Sequence, residues 1–133
     1  MSIETVLFTR LTTHAGLTAL IGKRVYPLLM PQSKGTETKL PCVVYQKISS
    51  VPVYSHSGDS TLTATRFQFS CYAKTYLPGI KALEAQMRAA LSGWSDSTLT
   101  PPVDAVFQNV AFDGYDSDLE TFCIVMDYRV WHR

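Results

Sequence analysis

Three histidines, three cysteines and one acidic run are the side chains through which this sequence could do chemistry, and their spacing matches no common reaction. His56 sits among Ser55, Ser57, Asp59 and Ser60. Nucleophilic catalysis needs a hydroxyl, a base and an orienting third group brought together in space, and residues this close in one loop do not build that geometry. There is no Gly-x-Ser-x-Gly elbow. His14, His56 and His132 form neither an HxH nor an HExxH pattern, so they make a metal site only if folding gathers them. Cys42, Cys71 and Cys123 are widely spaced without a CxxC pair, and all three lie in apolar, strand-like runs. That pattern predicts buried thiols in a reducing compartment. The acidic run from Asp113 to Glu120 lacks the ligand spacing and central glycine of a calcium-binding loop, and predicts a solvated hairpin turn instead. No glycine-rich phosphate loop is present. The expectation is a protein with no catalytic residue, no metal and no cofactor.

The aromatic residues invite a second reading. Tyr45, Tyr72, Tyr76, Phe67 and Phe69 could form a stacking platform for single-stranded nucleic acid, but only Lys47, Arg66 and Lys74 accompany them. Core packing is the better reading. Twelve Lys and Arg against eleven Asp and Glu leave a formal charge of +1, with none of the cationic excess that non-specific nucleic-acid binding requires. Trp94 and Trp131 are rings large enough to anchor a partner or to fill a core; parity sets Trp131 opposite Phe122 and Tyr128 in its strand. Charged residues make up 17% of the 133 residues, below the ~25% of an average domain, which hints at surface covered by partners.

The elements that would position these residues follow from periodicity. Ile3, Val6, Leu7 and Leu11 predict a helix capped by Ser2, and Leu17, Leu20 and Ile21 a second, stopped by Gly22. Val25 and Tyr26 start a short extended piece limited by Pro27. Residues 42–49 read as a strand with apolar groups on both faces. From about Leu62 to Lys74 the alternation is clean, with Phe67, Phe69, Cys71 and Ala73 on one face. Thr75 is placed to cap a helix with Ile80, Leu83, Met87, Ala90 and Leu91 as its apolar stripe and Gly93 as its stop. A connector rich in Ser, Thr and Pro then leads to a hairpin of residues 103–112 and 119–131, turning at Asp113–Asp118 with an Asp-Gly signal. Residues 31–40 and 51–61 read as loops that the core does not explain. The whole predicts one domain over residues 1–133, an α+β fold: an antiparallel or mixed sheet of about four to five strands with two to three helices on one face. The N-terminus lacks the features of a signal peptide, and no run approaches the ~18 apolar residues of a membrane span.

Four strings carry a resemblance. They are Gly22-x-Arg24-Val25-Tyr26-Pro27 after the first helices, Pro41-x-Val43-Val44-Tyr45-Gln46, Arg66-x-Gln68-x-x-x-Tyr72-Ala73-x-Thr75-Tyr76, and the closing Asp127-Tyr128-x-Val130-Trp131-His132. In this order and spacing, across residues 3–132, the chain resembles the tail completion, or tail terminator, proteins of long-tailed bacteriophages and prophages. The resemblance implies a structural protein without catalysis or cofactor, assembled as a ring, usually a hexamer, on the end of the tail tube. Such a ring stops tube polymerisation and forms the head-tail joining surface. The implied partners are other copies of the chain, the tail tube protein and a head-completion or connector protein. Viral DNA passes through transiently without sequence-specific binding, and no membrane is involved. The implied location is the host bacterial cytoplasm during assembly and the tail or neck of the mature virion.

A ring needs two different patches per subunit. The two long loops are the expected source, with Gln32, Lys34 and Lys39 in the first, Tyr54, His56 and Asp59 in the second, and Trp131 as a further interface candidate. The alternatives are another neck or connector component, a nucleic-acid-binding α+β domain, and a small hydrolase or metal enzyme.

Overall fold

The computed structural model describes residues 2–28, 41–117 and 120–133. Helix α1 (Ile3–Thr13) begins at Ser2, whose hydroxyl accepts the Thr5 amide at 3.3 Å. Glu4 in its first turn and Arg10 in its last oppose the helix dipole favourably. His14 ends α1 and opens α2 (Ala15–Ile21), its Nδ1 accepting the Leu17 amide at 3.4 Å. Gly22, at φ +60°, closes α2 in a conformation that costs a glycine little.

The strands are β1 (Val25–Pro27), β2 (Cys42–Ser55), β3 (Gly58–Ala73), β4 (Val103–Asp116) and β5 (Thr121–His132). They form one sheet in the order β1-β2-β3-β5-β4. β1 runs parallel to β2 and every other pairing is antiparallel, so the sheet is mixed. The cross-strand partners Phe69–Met126, Phe67–Tyr128 and Cys71–Ile124 point to the helix side. There α1, α2 and α3 (Lys81–Leu91) cover them, and Leu7, Leu11, Leu17, Ile21, Leu83, Met87 and Leu91 are buried. Phe69 packs on Phe67 (ring centroids 6.2 Å) and edge-on to Tyr128 (5.8 Å). This is the α+β architecture read from the pattern, and the aromatic pair Phe67 and Phe69 belongs to the core.

Four local expectations are corrected. Residues 51–61 are not a loop: β2 and β3 run on as a two-stranded ribbon to a turn at His56 and Ser57. Pro52 is tolerated because β1 pairs only as far as Tyr45, so among the described residues no strand lies beside β2 at Pro52 to receive an amide there. Asp113-Gly114 is not the hairpin turn but lies within β4, opposite Ile124 and Cys123. Gly114 suits that place, since a Cβ there would stand 2.9 Å from the Cys123 sulfur. Thr75 makes no side-chain cap. A π turn at Tyr76–Ile80 precedes α3, closed by the Ile80 amide donating to the Thr75 carbonyl at 2.9 Å. Finally, Cys42 and Cys71 are buried but Cys123 is only half-buried, on the face that carries no helices.

Candidate assembly surfaces

The side chains that could have done chemistry are dispersed, and several of them hold structural contacts. His14 caps α2. His56 is exposed in the ribbon turn, where the Ser55 and Ser57 hydroxyls bond each other at 3.1 Å and Ser55 Oγ donates to the Gly58 carbonyl. His132 lies at the end of β5 with its Nε2 2.7 Å from Thr65 Oγ1, and burial holds its pKa below the ordinary histidine value. Asp113 accepts the Tyr76 hydroxyl at 2.6 Å and Lys81 Nζ at 3.2 Å; these partners hold its carboxyl below the usual range. The Lys81 ammonium also stands 5.1 Å from the Tyr76 ring, so this cluster ties the π turn to β4. Burial pushes the Cys42 thiol up to about 11 and raises Cys71 further, the opposite of an activated thiolate. Among the described residues no group of His, Cys, Asp and Glu is arranged to hold a metal ion. None of their helices is long and apolar enough to cross a membrane.

One cleft of about 190 Å³ opens between α1 and the segment after α3, lined by Val6, Thr9, Arg10, Trp94, Asp96 and Leu99 among others. Arg10 fills much of its chemistry internally: Nε donates to the Ala90 carbonyl at 2.9 Å and the guanidinium stacks 5.0 Å from the Trp94 ring centre. Asp96, its carboxyl held low by the Thr98 hydroxyl and amide, caps its own loop. Trp94 is thus a packing residue.

The uncovered face of the sheet is the larger feature. Its rows, read across strands, are Val51–Ala64–Trp131–Ala105, Ser49–Arg66–Arg129–Phe107, Gln46–Gln68–Asp127–Val110 and Val44–Ser70–Val125–Phe112. The centre is polar, organised by the Arg66–Asp127 pair, and the margin along β4 is apolar. Trp131 lies half-buried here, between Ala64 and Ala105, as strand parity implied.

The interface candidates fall as follows. Tyr54 is 69% exposed near the ribbon tip, His56 is at the tip, and Asp59 follows it in β3 opposite Tyr54, its side chain outside the description. Gln32, Lys34 and Lys39 lie outside the described residues. The structure therefore brings Tyr54, His56 and Asp59 together on one projecting ribbon and sets Trp131 on the open face. Sequence reasoning missed the exposed Phe107, Val110 and Phe112 of β4. Their signal was apolar residues on both parities of a strand that ends the sheet.

Comparison with known proteins agrees with this architecture. A chain from the virion of a native gene transfer agent particle superposes with a TM-score of 0.73 at 17% identity, over 95% of this chain and 90% of that one, which shows a shared fold. A search of curated proteins finds no match. The family model for tail completion protein gp17 matches residues 5–133. With nearly its whole length accounted for by that match, the chain belongs to the tail completion protein gp17 family and is a structural component of a phage-type tail.

Proposed function

We propose that this protein completes a tail by assembling as a ring, a hexamer by the family resemblance, on the end of the tail tube. There it stops tube growth and offers the surface to which the filled head joins. The observation that carries the reading is the family match across residues 5–133. It is supported by the structural use of groups that could have done chemistry: His14 caps α2, and Asp113 is held by Tyr76 and Lys81. The ribbon tip with Tyr54, His56 and Asp59 faces the tube or connector protein, and the near-neutral chain lets DNA slide through without a grip on its phosphates. Assembly takes place in the host cytoplasm, and the protein stays at the tail-neck junction of the particle.

The test is a tail-assembly reaction with and without the full chain, imaged at tube ends. Tubes made without the protein are expected to lack a terminal ring and to fail to join filled heads; adding it restores both. Tubes that join heads equally well without it would sink the reading.

A further inference from the structure

The helix-free face of the sheet carries a positive charge that no described residue balances. In its four cross-strand rows the charged members are Arg66, Asp127 and Arg129. Two guanidinium groups thus share this surface with one carboxylate, and that carboxylate is taken: Arg66 Nε donates to Asp127 Oδ2 at 2.6 Å. Arg129 is the cross-strand partner of Arg66. It is exposed and belongs to none of the ion pairs or side-chain hydrogen bonds among the described residues. Like charges set opposite one another on a sheet face cost stability, and at Arg129 no described group offsets that cost.

The surroundings of Arg129 are apolar. Phe107, its partner on β4, is 57% exposed, and Trp131, two residues further along β5, is half-buried. Val51, Val110 and Phe112 of the same face are exposed as well. Arginine beside large aromatic side chains is the composition found at the centres of protein contacts. Covering this patch with apolar surface alone would take the Arg129 charge out of water unpaired, so a surface that fits must bring an anion. A carboxylate meets a planar guanidinium with two parallel hydrogen bonds, and an apolar rim strengthens them by excluding water.

The same chemistry narrows the occupant. A nucleic-acid backbone calls for a series of cations along its phosphates, whereas here one uncompensated guanidinium stands among apolar side chains. Glu4, Glu84, Asp104 and Asp113 are each paired within the chain, so a second copy offering one of them would have to break that pair.

We propose that the helix-free face docks a different protein of the tail, which lays apolar surface on Phe107 and Trp131 and sets an Asp or Glu carboxylate on Arg129. This contact requires the chain's place in a tail and holds whatever the number of subunits in a ring.

The test uses the full-length chain with Arg129→Lys, checked by circular dichroism for a wild-type fold, in assembled tails. Carbodiimide condenses an amine with a carboxylate in contact with it. Treated tails should therefore yield a cross-link from position 129 to an Asp or Glu of a different tail protein, read by mass spectrometry. Cross-links confined to this chain or to another copy of it would overturn the contact, as would none in tails that contain the variant. Where the variant does not enter tails, a second arm on wild type decides. Phenylglyoxal, which modifies accessible guanidinium groups, is applied to the wild-type chain alone and to wild-type tails. Arg129 should lose most of its reactivity in tails and keep that protection after nuclease treatment. Equal reactivity in both samples would overturn the contact, and protection that vanishes with nuclease would assign the face to nucleic acid instead. Arg129→Glu should lower incorporation into tails at least about tenfold, and Phe107→Ser should lower it at every salt concentration. Wild-type incorporation by both variants would also overturn the contact. Each of these failures leaves the ring reading standing if wild type still caps tubes; a wild-type chain that enters no tail would overturn both.

Discussion

Arg66 and Asp127 meet on the open face of the sheet: Arg66 Nε donates to Asp127 Oδ2 at 2.6 Å and Nη2 contacts the same oxygen. Asp127 is nearly buried although it lies on the side without helices, and its Oδ1 has no hydrogen-bond partner among the described residues. A carboxylate sheltered in this way depends on its cation. Arg66→Leu should lower the denaturation midpoint more than the paired change Arg66→Leu/Asp127→Leu, because the single change strands a charge and the double change removes it. Urea titration of the two variants decides; equal losses would mean that the pair does not act as a unit.

His132 predicts a pH dependence. Burial holds its folded pKa below the ordinary value, so the folded state resists protonation. The sign follows: stability is fully present above the unfolded pKa of about 6.5 and declines as pH falls below it through the lower folded value. His132→Gln should flatten that decline between pH 7 and 5 in thermal melts. An unchanged slope would assign the acid sensitivity elsewhere.

Tyr128 sits at the centre of the core with its hydroxyl buried and without a hydrogen-bond partner among the described residues. Desolvation accordingly pushes its pKa up. Tyr128→Phe should be neutral or stabilising by up to about 1 kcal/mol, since an unmet hydroxyl costs more than it returns. Phe69→Ala in the same cluster should cost ~3–5 kcal/mol. Chemical denaturation separates the two, and a destabilised Tyr128→Phe would reveal a partner for the hydroxyl.

Two glycines predict opposite outcomes. A Cβ on Gly79 would stand 2.2 Å from Thr75 Oγ1, inside the π turn that joins β3 to α3, so Gly79→Ala should cost about 1–2 kcal/mol. A Cβ on Gly16 would meet the far end of Gln86, which can swing away, so Gly16→Ala should gain up to ~0.5 kcal/mol from helix propensity. Thermal melts of both test the ranking.

Most of the fold was legible because its signals were periodic. The stripe of Ile80, Leu83, Met87, Ala90 and Leu91 and the alternation from Phe67 to Ala73 specify their buried faces without help from tertiary structure. Errors came where composition mimicked a loop. Pro52 and Gly58 belong to a strand ribbon that turns at His56 and Ser57, because β2 pairs with β3 as far as Ser55–Gly58 and, among the described residues, β1 flanks β2 only to Tyr45, a property of topology that no local window contains. Asp113-Gly114 has the chemistry of a turn, but Tyr76 and Lys81, 37 and 32 residues away, hold Asp113 in the strand. Of the interface candidates, Tyr54 and His56 were legible as exposed polar-aromatic positions. Phe107 and Phe112 were not, because whether an apolar strand residue faces a core or solvent depends on which strand ends the sheet.

The β3–β5 pairing runs without a register shift from Thr63–His132 to Ala73–Phe122, while β2–β3 and β4–β5 each contain two irregularities. Hydrogen bonds between antiparallel strands lie across the chain direction, so tension along the strands loads the unbroken ladder all at once and the interrupted ladders piecemeal. The molecule accordingly has a stiff spine and compliant flanks, and a sudden axial load would be shared by its middle and absorbed at its rims.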